Sequence, residues 1–273
     1  VCSSDLLGVA YFFAFYALWF QIKGLWGAEG ILPIANFLAY IKNTVPGYGF
    51  FDIPSLFYFF DGDFVLMLVA GLGIIVSLVV VFGFFPAVSL FFLWLFYLSF
   101  VVVGQSFLSF QWDVLLLEVG FIAIFFAPFY SFNSQRGEGR PYFGLILYLR
   151  LLLFRVMFVS GYVKFISGDG SWKNFSALAY HFQTQPLPHF MGYVFHGLPF
   201  WVLQFMCFGV FIIEIILPFL IFMPRRVRWV SFWAFSLLMV LIMFTGNYGF
   251  FNYLVLILCL VLVDDDFLQS CIP

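Results

Sequence analysis

From Phe64 to Phe85 the chain carries no charged side chain and no alternation of polar with apolar residues, and that run decides the solvent in which the chain folds. A segment apolar on every side has no face to offer water. No large soluble core is available to hide it: 65% of the 273 residues are hydrophobic, 9% are charged and the mean hydropathy is +1.11. The surrounding solvent must be lipid. In lipid each backbone N–H and C=O has to be satisfied internally, which leaves bundled helices or a closed barrel. Barrel strands alternate over roughly ten residues, and this run does not. The expected fold is an all-α, polytopic transmembrane helix bundle.

At roughly 20 apolar residues per crossing of a ~30 Å core, about eight membrane segments are legible. They cover residues 7–22, 64–85, 87–103, 114–130, 143–166, 200–222, 229–244 and 250–263. The first and the last two read as short. Alternating crossings sort the connections into two sets, and the basic residues sort with them. Arg136, Arg140, Arg225, Arg226 and Arg228 fall on one side, which the positive-inside rule makes cytoplasmic. The connection over residues 23–63, the GQSFLSFQWD segment, the connection over 167–199 and TGNYGFFN fall on the other. Trp26, Trp112, Trp172 and Trp201 lie near helix ends on that second side and Trp229 near the cytoplasmic side, as an aromatic belt requires.

Ionisable residues within apolar segments need partners, because a charge in the bilayer costs at least a few kcal/mol. Glu118, Arg150, Arg155 and Glu214 form the expected intramembrane polar cluster. A rise of ~1.5 Å per residue puts Arg155 and Glu118 both ~18 Å from the cytoplasmic ends of their helices and Glu214 at ~13 Å. Glu118 is therefore the best-matched partner for Arg155, with Glu214 second. Such pairs either fix which helices meet or line a polar cavity for a substrate or proton. Lys164 stands near the non-cytoplasmic end of its segment, where it either snorkels to the interface or serves as a desolvated amine base.

The non-cytoplasmic face holds most of the unusual sequence: Gln111, Trp112, Asp113, Lys164, Asp169, Trp172, His181, Gln183, Gln185, Pro186, Pro188, Asn247, Tyr248 and Asn252. Gly-Asp-Gly-Ser-Trp favours a turn, Ser171 and Asn174 can cap a short helix through Ala177 to His181, and Pro186 with Pro188 imposes an extended segment. Asn247, Tyr248 and Asn252 satisfy a helix end or bind a ligand. Gly71-Leu72-Gly73 suits close helix packing. His181, His189 and His196 lack the compact spacing of metal ligands, so no metal site is expected, and no GxSxG elbow signals a hydrolase. Cys2, Cys207, Cys259 and Cys271 are too widely spaced for a disulfide framework. With 11 Lys and Arg against 13 Asp and Glu, nothing points to nucleic acid.

FQWDVLLLEVGF, LRLLLFRVMFVSGYVKFISGDGSW, AYHFQTQPLPH, IEIILPFLIFMPRRVR and TGNYGFFNYL, in that order, resemble the lipase maturation factor family. The resemblance runs from about Gln21-Ile22 through GILP and PSLF to the Asp264-Asp265 end. It implies a membrane-embedded factor assisting folding and assembly of secreted client proteins, lipases among them, at the lumenal or periplasmic face. The implied location is the endoplasmic reticulum membrane if the source is eukaryotic and the inner membrane if it is bacterial. No catalytic residue and no cofactor are implied. Two departures stand out: Gln183 replaces an acidic residue, and the soluble region that follows in the family is missing. A more distant likeness, Lys164 followed by Gly-Asp-Gly-Ser-Trp, links the chain to the vitamin K-dependent γ-glutamyl carboxylase and its relatives. That likeness implies a quinone-linked enzyme with Lys164 as base. A transporter using Glu118, Arg155 and Glu214 is a third reading.

The opening Val1-Cys2-Ser3-Ser4-Asp5-Leu6 lacks Met and a basic region, and it is what translating a common sequencing-adapter end would give. Residues 1–6 are therefore expected to be an artefact. Residues 7–266 are then the transmembrane domain and 267–273 the start of a truncated C-terminal region.

Overall fold

The computed structural model describes residues 2–44, 47, 49–128, 143–185, 187 and 189–264. These form helices and no strand, in two compact units, residues 1–140 and 141–273. Arg136, Arg140, Pro186, Pro188, Asp265, Cys271 and the 267–273 segment lie outside the described residues.

The first unit contains α1 (Cys2–Trp26), α2 (Ile34–Thr44), α3 (Asp63–Val81), α4 (Pro86–Val103) and α5 (Gln111–Phe126). α1 packs on α3, α3 on α4 and α4 on α5. Close approach of α1 to α3 needs the Gly71 and Gly73 pair, because a Cβ on Gly71 would stand 2.7 Å from the Trp19 ring and one on Gly73 would strike Phe15. At one end of the unit the indole N–H of buried Trp26 donates to the Gly104 carbonyl at 3.1 Å, and the Ala28 N–H donates to Asp63 at 2.8 Å. Those bonds put the end of α1, the start of α3 and the end of α4 at one level.

The second unit contains α6 (Phe143–Ile166), α7 (Gly170–Lys173), α8 (Ala177–Thr184), α9 (Phe190–His196), α10 (Phe200–Phe211), α11 (Arg225–Thr245) and α12 (Phe251–Cys259). α10 continues as a π-helical turn, Ile212–Ile216, and a 3₁₀ stretch, Leu217–Phe222. Pro218 explains the irregularity: it has no N–H to give the Glu214 carbonyl, so the regular ladder cannot run through it.

Among the described residues six helices are long and apolar enough to cross a membrane, and Phe251–Leu262 is a shorter apolar helix. α5, at 16 residues, is shorter still than a typical span. α1 and α11 are not short, at 25 and 21 residues, because each helix continues past its apolar core into a charged end: Lys23 in α1, and Arg225, Arg226 and Arg228 in α11. Long basic side chains are good helix formers and snorkel from such ends.

Candidate functional site

In the first unit the motif residues Gln111, Trp112 and Asp113 begin α5. Asp113 is buried, accepts a 2.6 Å hydrogen bond from the Tyr97 hydroxyl and caps the helix by accepting from the Phe110 N–H. Trp112 stacks on Phe110, with ring centroids 4.5 Å apart, and Gln111 is exposed. Glu118 lies further along α5, half-buried. The sequence reading missed Tyr97, whose only signal was a phenol within the apolar face of α4.

In the second unit the motif residues form a layer built on an offset between helices. α6 ends at Ile166, whereas α10 begins at Phe200 and its continuation reaches Lys164 only at Glu214. Fourteen residues of helix, ~21 Å, therefore extend past the level of Lys164. The chain from 167 to 185 fills this step. Trp172 packs edge-on against Phe211 and Phe175 against Phe208 and Phe211, with centroids 5.7–6.0 Å apart, while Gln204 donates to the Asn174 carbonyl. Phe175 pays for its place with a left-handed backbone, φ 55°.

The offset corrects the estimated depths, which assumed that all helices end at common levels. Lys164 does not snorkel alone: its ammonium donates to both carboxylate oxygens of Glu214, 2.6 Å to Oε1, and stands 5.5 Å over the Trp172 ring. The Glu214 side chain is only 6% exposed against 26% for Lys164, so the lysine brings charge to a carboxylate already out of water. Gly161 makes the approach possible, since a Cβ there would stand 2.8 Å from Glu214 Cβ. Arg155 is exposed on α6. Arg150 departs from the expected cluster: it donates to the Val261 carbonyl, beside Arg228, which donates to the Leu262 carbonyl at 2.9 Å and to Asp264 at 3.0 Å. Arg225 pairs with Asp264 as well. Arg150 and Arg228 thereby satisfy carbonyls at the end of the last helix.

The helix starts are capped differently from the expected pattern. Asp169, not Ser171, caps α7, accepting from the N–H and the hydroxyl of Ser171. Asn174 ends that helix and Ser176 precedes α8. Aspartate wins because its two oxygens take both donors at once. An open cleft of about 490 Å³ lies here, lined by Asp169, Gly170, Ser171, Asn174, Ser176 and Tyr180.

Three polar ties hold the layer. The Tyr248 hydroxyl meets His181 Nε2 at 3.2 Å with the rings stacked, Gln183 Nε2 meets His196 Nε2 at 2.7 Å, and Gln185 Nε2 donates to the Thr245 carbonyl at 2.9 Å. Burial, helped by the charge of Lys164, lowers the pKa of His181, and burial raises that of Tyr248. The tie thus joins a neutral imidazole to a protonated phenol. Gln185 lies between Gly192 and Gly246, where Cβ atoms would stand 2.6 and 2.4 Å from its amide. Asn247 Oδ1 accepts from the Gly249 N–H, which is a turn role. Asn252 is 1% exposed, and its Oδ1 has no hydrogen-bond partner among the described residues. Thr245 was not singled out in the sequence, since a helix-terminal Thr carries no local signal, and His196, weighed there only as a metal ligand, meets Gln183. Among the described residues no group of three His, Cys, Asp or Glu side chains is placed to hold a metal ion.

Residues 3–270 match the family described as lipase maturation factor transmembrane domain. The chain is 42% identical to lipase maturation factor 2 of Xenopus laevis over 279 residues, which cover 97% of this chain and 39% of the relative. It is 40% identical to the human lipase maturation factor 2, over 97% of this chain and 40% of that protein. Against lipase maturation factor 1 of Mus musculus the identity is 32%, over 98% and 48%. The chain thus spans about two fifths to one half of the length of these relatives. No solved structure matches it.

Proposed function

The chain belongs to the lipase maturation factor family and is an integral, multi-pass membrane protein, and from that premise we propose that it acts as a maturation factor for secreted client proteins, lipases among them. The single observation carrying this reading is the match of nearly the whole chain to the membrane domain of proteins named for that role. The working face is the end of the second unit that carries Asp169, His181, Gln183, Gln185 and Tyr248, on the lumenal or periplasmic side. The proposed location is the endoplasmic reticulum membrane in a eukaryotic cell and the inner membrane in a bacterium. The geometry supports a scaffold: side-chain ties join short helices to the ends of α10 and α11, and exposed polar groups line the open cleft. Lys164 is engaged by Glu214, which fits a structural tie at this level of the unit.

The test is crosslinking of the full-length protein in its native membrane, followed by identification of captured secreted proteins. Lipases or other secreted proteins are expected. Recovery of none, with a quinone or small lipid copurifying, would overturn the maturation reading.

A further inference from the structure

The segment between α2 and α3 presents an aromatic surface outside any membrane-spanning helix. Its inward residues are clamped to α4: the Ser55 hydroxyl donates to the Ser99 carbonyl at 2.9 Å, the Leu56 N–H donates to the Ser99 hydroxyl at 3.1 Å, and buried Phe57 packs on Phe100. Its outward residues are Phe51, Phe59 and Phe60, exposed by 94%, 61% and 67%. Phe50 touches the rings of both Phe51 and Phe59, with centroids 5.8 and 5.2 Å apart, so these three form one patch, and Phe60 follows Phe59 in the chain. Three large rings fixed outward by a pinned backbone have an apolar partner.

Two observations identify that partner as a phospholipid leaflet. The first is depth. Ser99 lies four residues before the end of α4 at Val103, so the clamp sits ~6 Å inside the end of a helix whose length, ~27 Å, barely spans the hydrocarbon core. The second is continuity. Phe60 leads into α3, whose exposed residues Phe64, Leu68, Leu72 and Ile75 recur at helical spacing and make its lipid-facing stripe. At the rim, exposed Lys42 holds its Nζ 4.4 Å over the Tyr58 ring and donates to the Tyr58 carbonyl at 3.3 Å, which sets a cation beside the aromatic surface. Exposed Asp52 and Asp61 flank the patch, so the fit is to a zwitterionic surface and not selectively to an acidic one.

We propose that residues 50–60 form an interfacial wedge that seats Phe51, Phe59 and Phe60 in the edge of one leaflet, continuous with the lipid face of α3, with Lys42 among the phosphates. This rests on membrane embedding and not on the identity of any client.

The test uses the full chain in phosphatidylcholine nanodiscs, with nitroxide labels on Phe51→Cys and Phe59→Cys, Ile75→Cys as lipid reference, Glu29→Cys as water reference, and the unsubstituted chain as background. Both wedge labels are expected to be more accessible to oxygen than to a water-soluble nickel chelate, as at position 75. Either label behaving like position 29 would overturn the proposal and leave the patch as a water-facing surface. Should labelling perturb folding, Phe51→Trp in brominated phosphatidylcholine provides a second readout. Tryptophan emission quenched more than in the unsubstituted chain is expected, and no added quenching would overturn it.

Discussion

Lys164 and Glu214 illustrate what one residue can and cannot do at this depth. Replacing Lys164 by Met leaves a buried carboxylate without its countercharge, and breaking a pair in this way costs about 3 kcal/mol, the low end of the range because the lysine is partly exposed. Thermal denaturation in detergent should show a clear loss for Lys164→Met and recovery toward the parent in the Lys164→Met, Glu214→Met double variant. An equally unstable double variant would mean that the charges matter for more than each other. Tyr97→Phe removes a hydrogen bond to a carboxylate, which is worth about 1.5–3 kcal/mol, and the same assay measures it. His181 supplies the pH dependence. Its folded pKa is lowered by burial and by Lys164, while the unfolded chain has about 6.5. The unfolded state therefore binds more protons in the window below 6.5, and the contribution present above that pH is lost as acidity rises through the folded value. Melting temperatures measured from pH 8 to pH 5 should fall in the parent and fall less in His181→Gln. The charge pattern made these residues conspicuous in the sequence, but not their partners. Residue counting could not know that α6 ends where α10 is only half-way along.

Among the elements, the junction of α6 with the π-helical turn is the least forgiving. Gly161 faces the Glu214 side chain and backbone, so even Gly161→Ala must push the two helices apart, at about 1–3 kcal/mol. A melting temperature unchanged by that substitution would show that the contact has slack. The long helices themselves were legible from apolar runs alone, since lipid makes the pattern unambiguous. Their ends were less so: Lys23 and Arg225 were read as connections and belong to helices, because basic residues cost a helix nothing where their tips reach water. The sequence suggests one short helix through Ala177 to His181 capped by Ser171 and Asn174, whereas α7 and α8 are separate, divided at a left-handed Phe175 that no propensity signals. α2 was missed within a long connection although Ile34 and Leu38 bury one side of it.

Across the whole molecule, the proposed sidedness is open to a direct measurement. Acceptor sites for N-glycosylation inserted after Glu29 or after Gly168 should be modified when the full-length chain is made in microsomes, and a site inserted after Pro224 should not. The reverse pattern would invert the orientation that the arginines give. Family membership was legible because several long motifs recur in order, whereas a client leaves no such trace in a membrane domain. The Lys164 to Glu214 pair also sets a timetable for biosynthesis. Its halves are 50 residues apart, so at about 5–20 residues per second the lysine waits a few seconds before its carboxylate is made. During that interval α6 can settle only with its charged end at the headgroups, and the arrival of Glu214 is what lets that end become part of a protein interior. Insertion of the first helix of the second unit is thereby completed by the next of its spans to be made.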